Sequence, residues 1–167
     1  MLCLWTRRIG LDVGGVIIDA IANDNTDTSF RSDNFLATTA VKGAFEAIKK
    51  LVEAYGSENI FIISKCGPEI ERKTRLWLEA TGFYTITGFD PANLYFCLNR
   101  PDKAPIAQEL QLTDFVDDKA EVLRYMEGIV TRRYLFGPQR KQNQDITGLI
   151  ATNGWDQALA SLLLQPV

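Results

Sequence analysis

Short apolar runs alternate with helix-period segments along this chain. Ile9 and Leu11 fit a brief buried strand that ends in Asp12 and is broken by Gly14-Gly15. A polar stretch from Ala22 to Asn34 reads as a surface loop or flap. From Val41 the period becomes helical: Val41, Ala44, Phe45, Ile48, Leu51, Val52 and Tyr55 share one face, and Gly56 stops the helix. Asn59–Ser64 is a second buried strand ending in a hydroxyl. Gly67-Pro68 opens a second helix with Ile70, Thr74, Trp77 and Leu78 on its core face, ending at Gly82. Leu94–Leu98 is a third strand, followed by a short helix starting near Lys103. Asp114–Asp118 is a fourth strand ending in two acids, and a helix spans Ala120 to Met126. Thr131–Phe136 is a fifth strand, Gly137–Ile146 a polar loop, and Asn153 or Asp156 starts a last helix carrying Trp155, Leu159, Leu162 and Leu163. Alternating strands and helices predict a three-layer α/β/α, Rossmann-like domain: a five-stranded parallel sheet, helices on both faces and right-handed crossovers.

Composition narrows the function. The 167 residues suit one domain with a real core, so 1–167 is read as a single unit with residues 22–40 as a flap or small cap. A net charge of −3 does not indicate a nucleic-acid partner, and no apolar run is long enough to span a bilayer. The apolar residues at the start precede the arginines, the wrong order for a secretory signal. Cys3, Cys66 and Cys97 are widely spaced and odd in number, as expected of reduced thiols in a cytoplasmic protein. The absence of histidine excludes a Ser-His-Asp triad, a Cys-His dyad and a His-ligated metal. Any catalysis must use carboxylates, a lysine or a hard cation.

In a parallel sheet, the C-terminal strand ends share one edge, which gathers Asp12, Ser64, Lys103 and the pair Asp117-Asp118. Three carboxylates there repel one another. A lysine and a divalent cation remove that conflict, and Mg²⁺ suits an all-oxygen site that also receives phosphate. Each residue also has a plainer reading. Asp12 fits a turn cap, Ser64 a strand-end cap, Lys103 a solvated helix start, and Asp118 the N-cap of the next helix. Cys66 beside the site fits a small buried thiol, and Trp77 and Trp155 fit the core.

The order of these motifs resembles the haloacid dehalogenase-like hydrolase superfamily. Its signature strand and Asp-x-Asp-Gly stand here as Ile9-Gly-Leu-Asp12-Val-Gly14-Gly15-Val16. Its second motif is matched by Phe61-Ile-Ile-Ser64, its lysine by Lys103, and its acidic pair by Phe115-Val-Asp117-Asp118. The resemblance covers residues 8 to 164. It implies a nucleophilic Asp12 that forms an aspartyl-phosphate, with Mg²⁺ on Asp12, the Gly14 carbonyl and Asp117 or Asp118. Ser64, Lys65 and Lys103 would bind the phosphoryl group, with Lys65 or Arg100 as substitutes for Lys103.

The departure is Gly14. Family phosphatases carry there a second Asp that protonates the leaving group and activates water, and Asp19 or Asp24 is the available substitute. The resemblance therefore implies a slow, Mg²⁺-dependent phosphoric-ester hydrolase. The alternative is a catalytically silent relative that binds a phosphorylated ligand or a protein partner. A metal-free attack on carbon, as in dehalogenases, is a third reading. A phospho-receiver domain has its acids in the reverse order. The short gaps 21–39 and 82–91 hold no sizeable cap, which implies an open site for a phosphorylated small molecule or macromolecule, with a homo-oligomer as a possible cover.

Overall fold

The computed structural model describes residues 6–19, 30–137 and 145–164. Six strands form one sheet in the order β3-β2-β1-β4-β5-β6, with every neighbouring pair parallel. They are β1 (Ile9–Leu11), β2 (Ile60–Lys65), β3 (Leu94–Cys97), β4 (Asp114–Asp117), β5 (Arg132–Phe136) and β6 (Ile150–Thr152). The helices are α1 (Ala44–Tyr55), α2 (Pro68–Ala80), α3 (Phe83–Thr87), α4 (Lys103–Glu109), α5 (Ala120–Tyr125) and α6 (Trp155–Leu163). None of the described helices is long and apolar enough to cross a membrane.

The three layers follow from strand alternation. Ile60 and Ile62 of β2 face a core shared with α1, α2, α3 and α6, whereas Phe61 and Ile63 face the core under α4 and α5. Strands buried on both faces read as continuous apolar runs, which is why β2 was legible without a period-2 signal. Gly10 lets the second core close against β1: a Cβ there would lie 2.5 Å from Phe115 and 2.6 Å from Leu112. Pro68 occupies the first turn of α2, and Gly56 ends α1. Trp77 and Trp155 are fully buried, as the sequence predicts. Their indoles donate to the Thr38 and Val16 carbonyls at 2.9 and 2.7 Å, fixing the chain on both sides of the flap.

Three expectations need correction. The sheet has six strands, not five. β6 is only three residues long and two of them are exposed, too short a pattern to register as periodic. The segment after Gly82 is not a plain connection but contains α3, whose Phe83 packs against Phe45 and against Phe89 just beyond the helix. The last helix starts at Trp155 with Gly154 as its N-cap, and its buried face uses Ala158 where Leu163 was expected. Residues 22–29 of the flap, 138–144 of the polar loop, Cys3 and Asp24 lie outside the described residues. The described part of the flap contains a 3-10 turn at Phe35–Ala37. It is held by Lys73 of α2, a buried lysine that donates to the Arg31 and Ser32 carbonyls.

At the edge away from the predicted site, Asp114 is fully buried at the start of β4. It accepts from Arg132 at 2.9 and 3.1 Å, from the Tyr134 hydroxyl at 2.9 Å and from Thr113 at 2.7 Å. Burial, and then the Asp114 charge, push the Tyr134 phenol well above its ordinary pKa. Removing one partner of a buried ionic network leaves the others unpaired. Asp114→Ala should therefore cost about 3 kcal/mol, and Tyr134→Phe about 1.5 kcal/mol. Urea unfolding of the two variants checks this, and equal, near-zero losses would contradict it.

Candidate functional site

The chain winds from β1 outward through β2 to β3, then returns to place β4 on the other side of β1. The switch in winding direction falls between β1 and β4, the crevice where open α/β sheets bind ligands. Leu11 pairs with Val116, so the next residues, Asp12 and Asp117, leave the sheet side by side. The Asp12 amide donates to the Val116 carbonyl at 2.9 Å, which fixes that register one residue further.

Lys103 reaches this crevice from the first turn of α4. The preceding turn is rigid because Asn99 and Asp102 cap each other reciprocally. The Lys103 ammonium donates to Asp12 Oδ1 and to Asp117 Oδ2, both at 2.8 Å. It is only 2% exposed. Burial alone would lower its pKa, but the charges of Asp12 and Asp117 outweigh that, and the net shift is upward. The second oxygen of Asp117 accepts the Lys119 amide at 2.9 Å. Asp117 is fully buried, and burial, followed by the Asp12 charge, raises its pKa.

Asp118 completes an acidic cluster in which oxygens of Asp12, Asp117 and Asp118 all lie within 4.8 Å of one another. Its Oδ1 is buried with no hydrogen-bond partner. Its pKa is also raised, by burial first and then by Asp12. The Lys119 ammonium stands 3.8 Å from the other oxygen. The helix that follows has Lys119 as its N-cap, without a side-chain cap bond, so Asp118 is not its cap. Gly15, at φ +78°, passes directly over this carboxylate: a Cβ there would lie 2.5 Å from Asp118 Oδ2. Gly14, by contrast, is exposed, and a Cβ there would meet no other described atom within 4 Å.

Asp12, Lys103, Asp117 and Asp118 thus form one contiguous group, with Gly14 beside it in the chain. Ser64 is buried and Lys65 exposed at the end of β2, the strand next to β1. Ser64 interacts with the Cys66 thiol. Arg100 is turned away, in a 2.6 Å ion pair with Glu121, so it does not replace Lys103. Cys66 and Cys97 have raised pKa values, chiefly from burial, which keeps both as thiols. Asp19 is half-buried, and its amide donates to Thr39 at the flap base. The sequence reading missed the buried Lys73, because a lysine on a helix face carries no signal that it will be covered.

With all three carboxylates ionised, the group would carry one more than a single divalent charge can offset without the lysine. Lys103 plus a divalent ion balance it. The donor set is all oxygen, it contains one buried unpartnered oxygen, and Gly15 carries no side chain that would press on Asp118. These residues fit a hard divalent cation.

No protein-family model matches the chain, and no curated protein sequence matches it. Solved structures do. A HAD-superfamily hydrolase from Ehrlichia chaffeensis superimposes with a TM-score of 0.59 and 10% identity, covering 92% of this chain and 94% of that one. A dehalogenase with an intermediate complex gives a TM-score of 0.65 and 13% identity, covering 96% and 99%. The chain therefore has the three-layer α/β/α fold seen in haloacid dehalogenase-like hydrolases.

Proposed function

We propose that the protein is a Mg²⁺-dependent phosphohydrolase of the haloacid dehalogenase-like type, working through an aspartyl-phosphate on Asp12. The observation that carries this reading is the acidic cluster with its buried lysine and the partnerless Asp118 Oδ1. Asp118 would hold the metal directly, together with Asp12 and the Gly14 carbonyl. Asp117, with one oxygen on Lys103 and the other on a backbone amide, orients the lysine and adds charge. Bound Mg²⁺ would supply charge neutralisation for the phosphoryl oxygens.

This chain's own residues do the rest. Lys103 holds one oxygen of Asp12, leaving the other to attack phosphorus. Its ammonium, beside Asp12, would also offset negative charge that builds on the transferring group. Ser64 and Lys65 at the neighbouring strand end would donate to phosphoryl oxygens. Splitting a hard displacement into two easier ones is the gain from a covalent intermediate.

The dehalogenase neighbour, together with Gly14, supports a second reading: attack of Asp12 on carbon without a metal. Metal dependence separates the two. Under the phosphohydrolase reading, EDTA abolishes turnover and Mg²⁺ restores it, whereas the carbon-attack reaction is indifferent to both.

Mg²⁺ at about 100 times its Kd should stabilise the fold by roughly 2.7 kcal/mol, a rise of about 5–10 °C in Tm for a domain of this size. Asp118→Ala should lose that rise in a thermal-shift assay. Asp12→Asn should keep the fold and reduce phosphatase turnover to the level of buffer. A Tm rise that survives Asp118→Ala would contradict the ligand assignment.

The raised carboxylates also set a pH dependence. Above an ordinary carboxylate pKa of about 4, folded Asp117 and Asp118 retain protons that the unfolded chain has released. The stability of the metal-free protein therefore falls as pH rises through that window. In EDTA, the urea midpoint should drop between about pH 5 and about pH 8. Saturating Mg²⁺ should shrink or reverse the drop, because it supplies the missing positive charge. Identical pH profiles with and without Mg²⁺ would contradict a cation at this cluster.

A further inference from the structure

Resting on that reading, the surroundings of Asp12 also bear on the kind of phosphoryl donor the site can use. When a phosphate ester P–O bond breaks, the electron pair leaves on oxygen. An alkoxide needs a proton at that moment, whereas a carboxylate or a phosphate leaving group does not. The question is which group could supply the proton.

The chain contains no histidine. Lys103, the nearest ammonium, has two of its N–H bonds committed to Asp12 and Asp117 at 2.8 Å. Arg100 is committed to Glu121. The position two residues beyond Asp12 is Gly14, whose missing side chain opens onto solvent, and no described atom stands within 4 Å of where its Cβ would be. The site thus has the machinery to attack phosphorus and to balance its charge, while its Gly14 side is open among the described residues.

We propose that the protein is selective for phosphoryl donors whose leaving group departs as a stable anion: acyl phosphates or phosphoanhydrides, rather than alkyl phosphate esters. An Asp12 carboxylate oxygen forms the new bond to phosphorus. The bond to the leaving oxygen breaks, and the carboxylate or phosphate departs with the electron pair and without a proton. Water then attacks the aspartyl-phosphate, giving back the Asp12 carboxylate and inorganic phosphate and releasing its proton to solvent. With no side chain at Gly14 to act as the base on that water, the second step is slow and the phosphorylated enzyme accumulates.

A leaving-group series tests this on the full chain with Mg²⁺. The donors are acetyl phosphate, p-nitrophenyl phosphate, phenyl phosphate and glycerol phosphate. Their leaving groups run from a carboxylic acid of pKa about 4, through phenols up to about 10, to an alcohol above that range. kcat/KM is used because it reports the phosphorylation step. It should fall steeply along the series, with acetyl phosphate at least about 100-fold faster than glycerol phosphate. Acid-stable, hydroxylamine-labile label from acetyl phosphate should map to Asp12 by mass spectrometry, with a burst equal to the enzyme concentration.

Gly14→Asp, which meets no steric obstacle among the described residues, should flatten the series by raising the glycerol phosphate rate about 100-fold. A flat series in the unaltered protein, with Asp12 labelled, would overturn the selectivity while leaving the phosphohydrolase reading intact. The absence of label on Asp12 with every donor would overturn both.

Discussion

A buried ammonium held between two carboxylates is the interaction on which this site depends. Lys103 comes from a helix start, Asp12 from the middle of the sheet and Asp117 from the next strand, and the three meet within hydrogen-bond distance. Removing any one of them leaves uncompensated charge in a region that water barely reaches, at a cost of several kcal/mol. The group therefore constrains the fold as much as the chemistry: β1, β4 and α4 must be in register for the charges to balance. It also leaves Asp118 in surplus, the third carboxylate of an acidic cluster that fits a hard divalent cation.

The fold supplies this register by ordinary means. Apolar runs buried on both faces fix β1, β2 and β4, and Gly10 lets Phe115 and Leu112 close on β1. Trp155 pins the carbonyl of Val16, four residues past Asp12, and Trp77 pins Thr38 on the far side of the flap. Large apolar residues thus determine where the polar turn of Asp12 lies. Such a division of labour, with rigid core elements carrying exposed chemistry on their ends, is how a parallel sheet supports a site on loops.

Much of this was legible in the amino-acid order, because the strands that matter are fully buried and end abruptly. Ile9-Gly-Leu-Asp12 and Phe115-Val-Asp117-Asp118 announce both a strand and the chemistry at its tip, and the topology alone brings them to one edge. What escaped notice depends on neighbours distant in the chain. β6 earns its place only through pairing with β5, and its three residues carry no period of their own. The Asp114 network joins β4 to a tyrosine and an arginine about twenty residues away, so Asp114 looked like a mere strand start. Lys73 is buried because the flap folds back over it. For Asp118 the sequence left two roles open, metal ligand and helix cap, and the geometry gives the cap position to Lys119.

The position of β1, hydrogen-bonded on both sides between β2 and β4, has a consequence for how the molecule breathes. The amide protons of such an interior strand trade with deuterated solvent only when the whole domain opens, whereas peripheral segments do so through small local excursions. Asp12 is thus mounted at the end of a slow-exchanging part of the protein. The periphery can fluctuate while the Asp12 carboxylate stays where the sheet has put it.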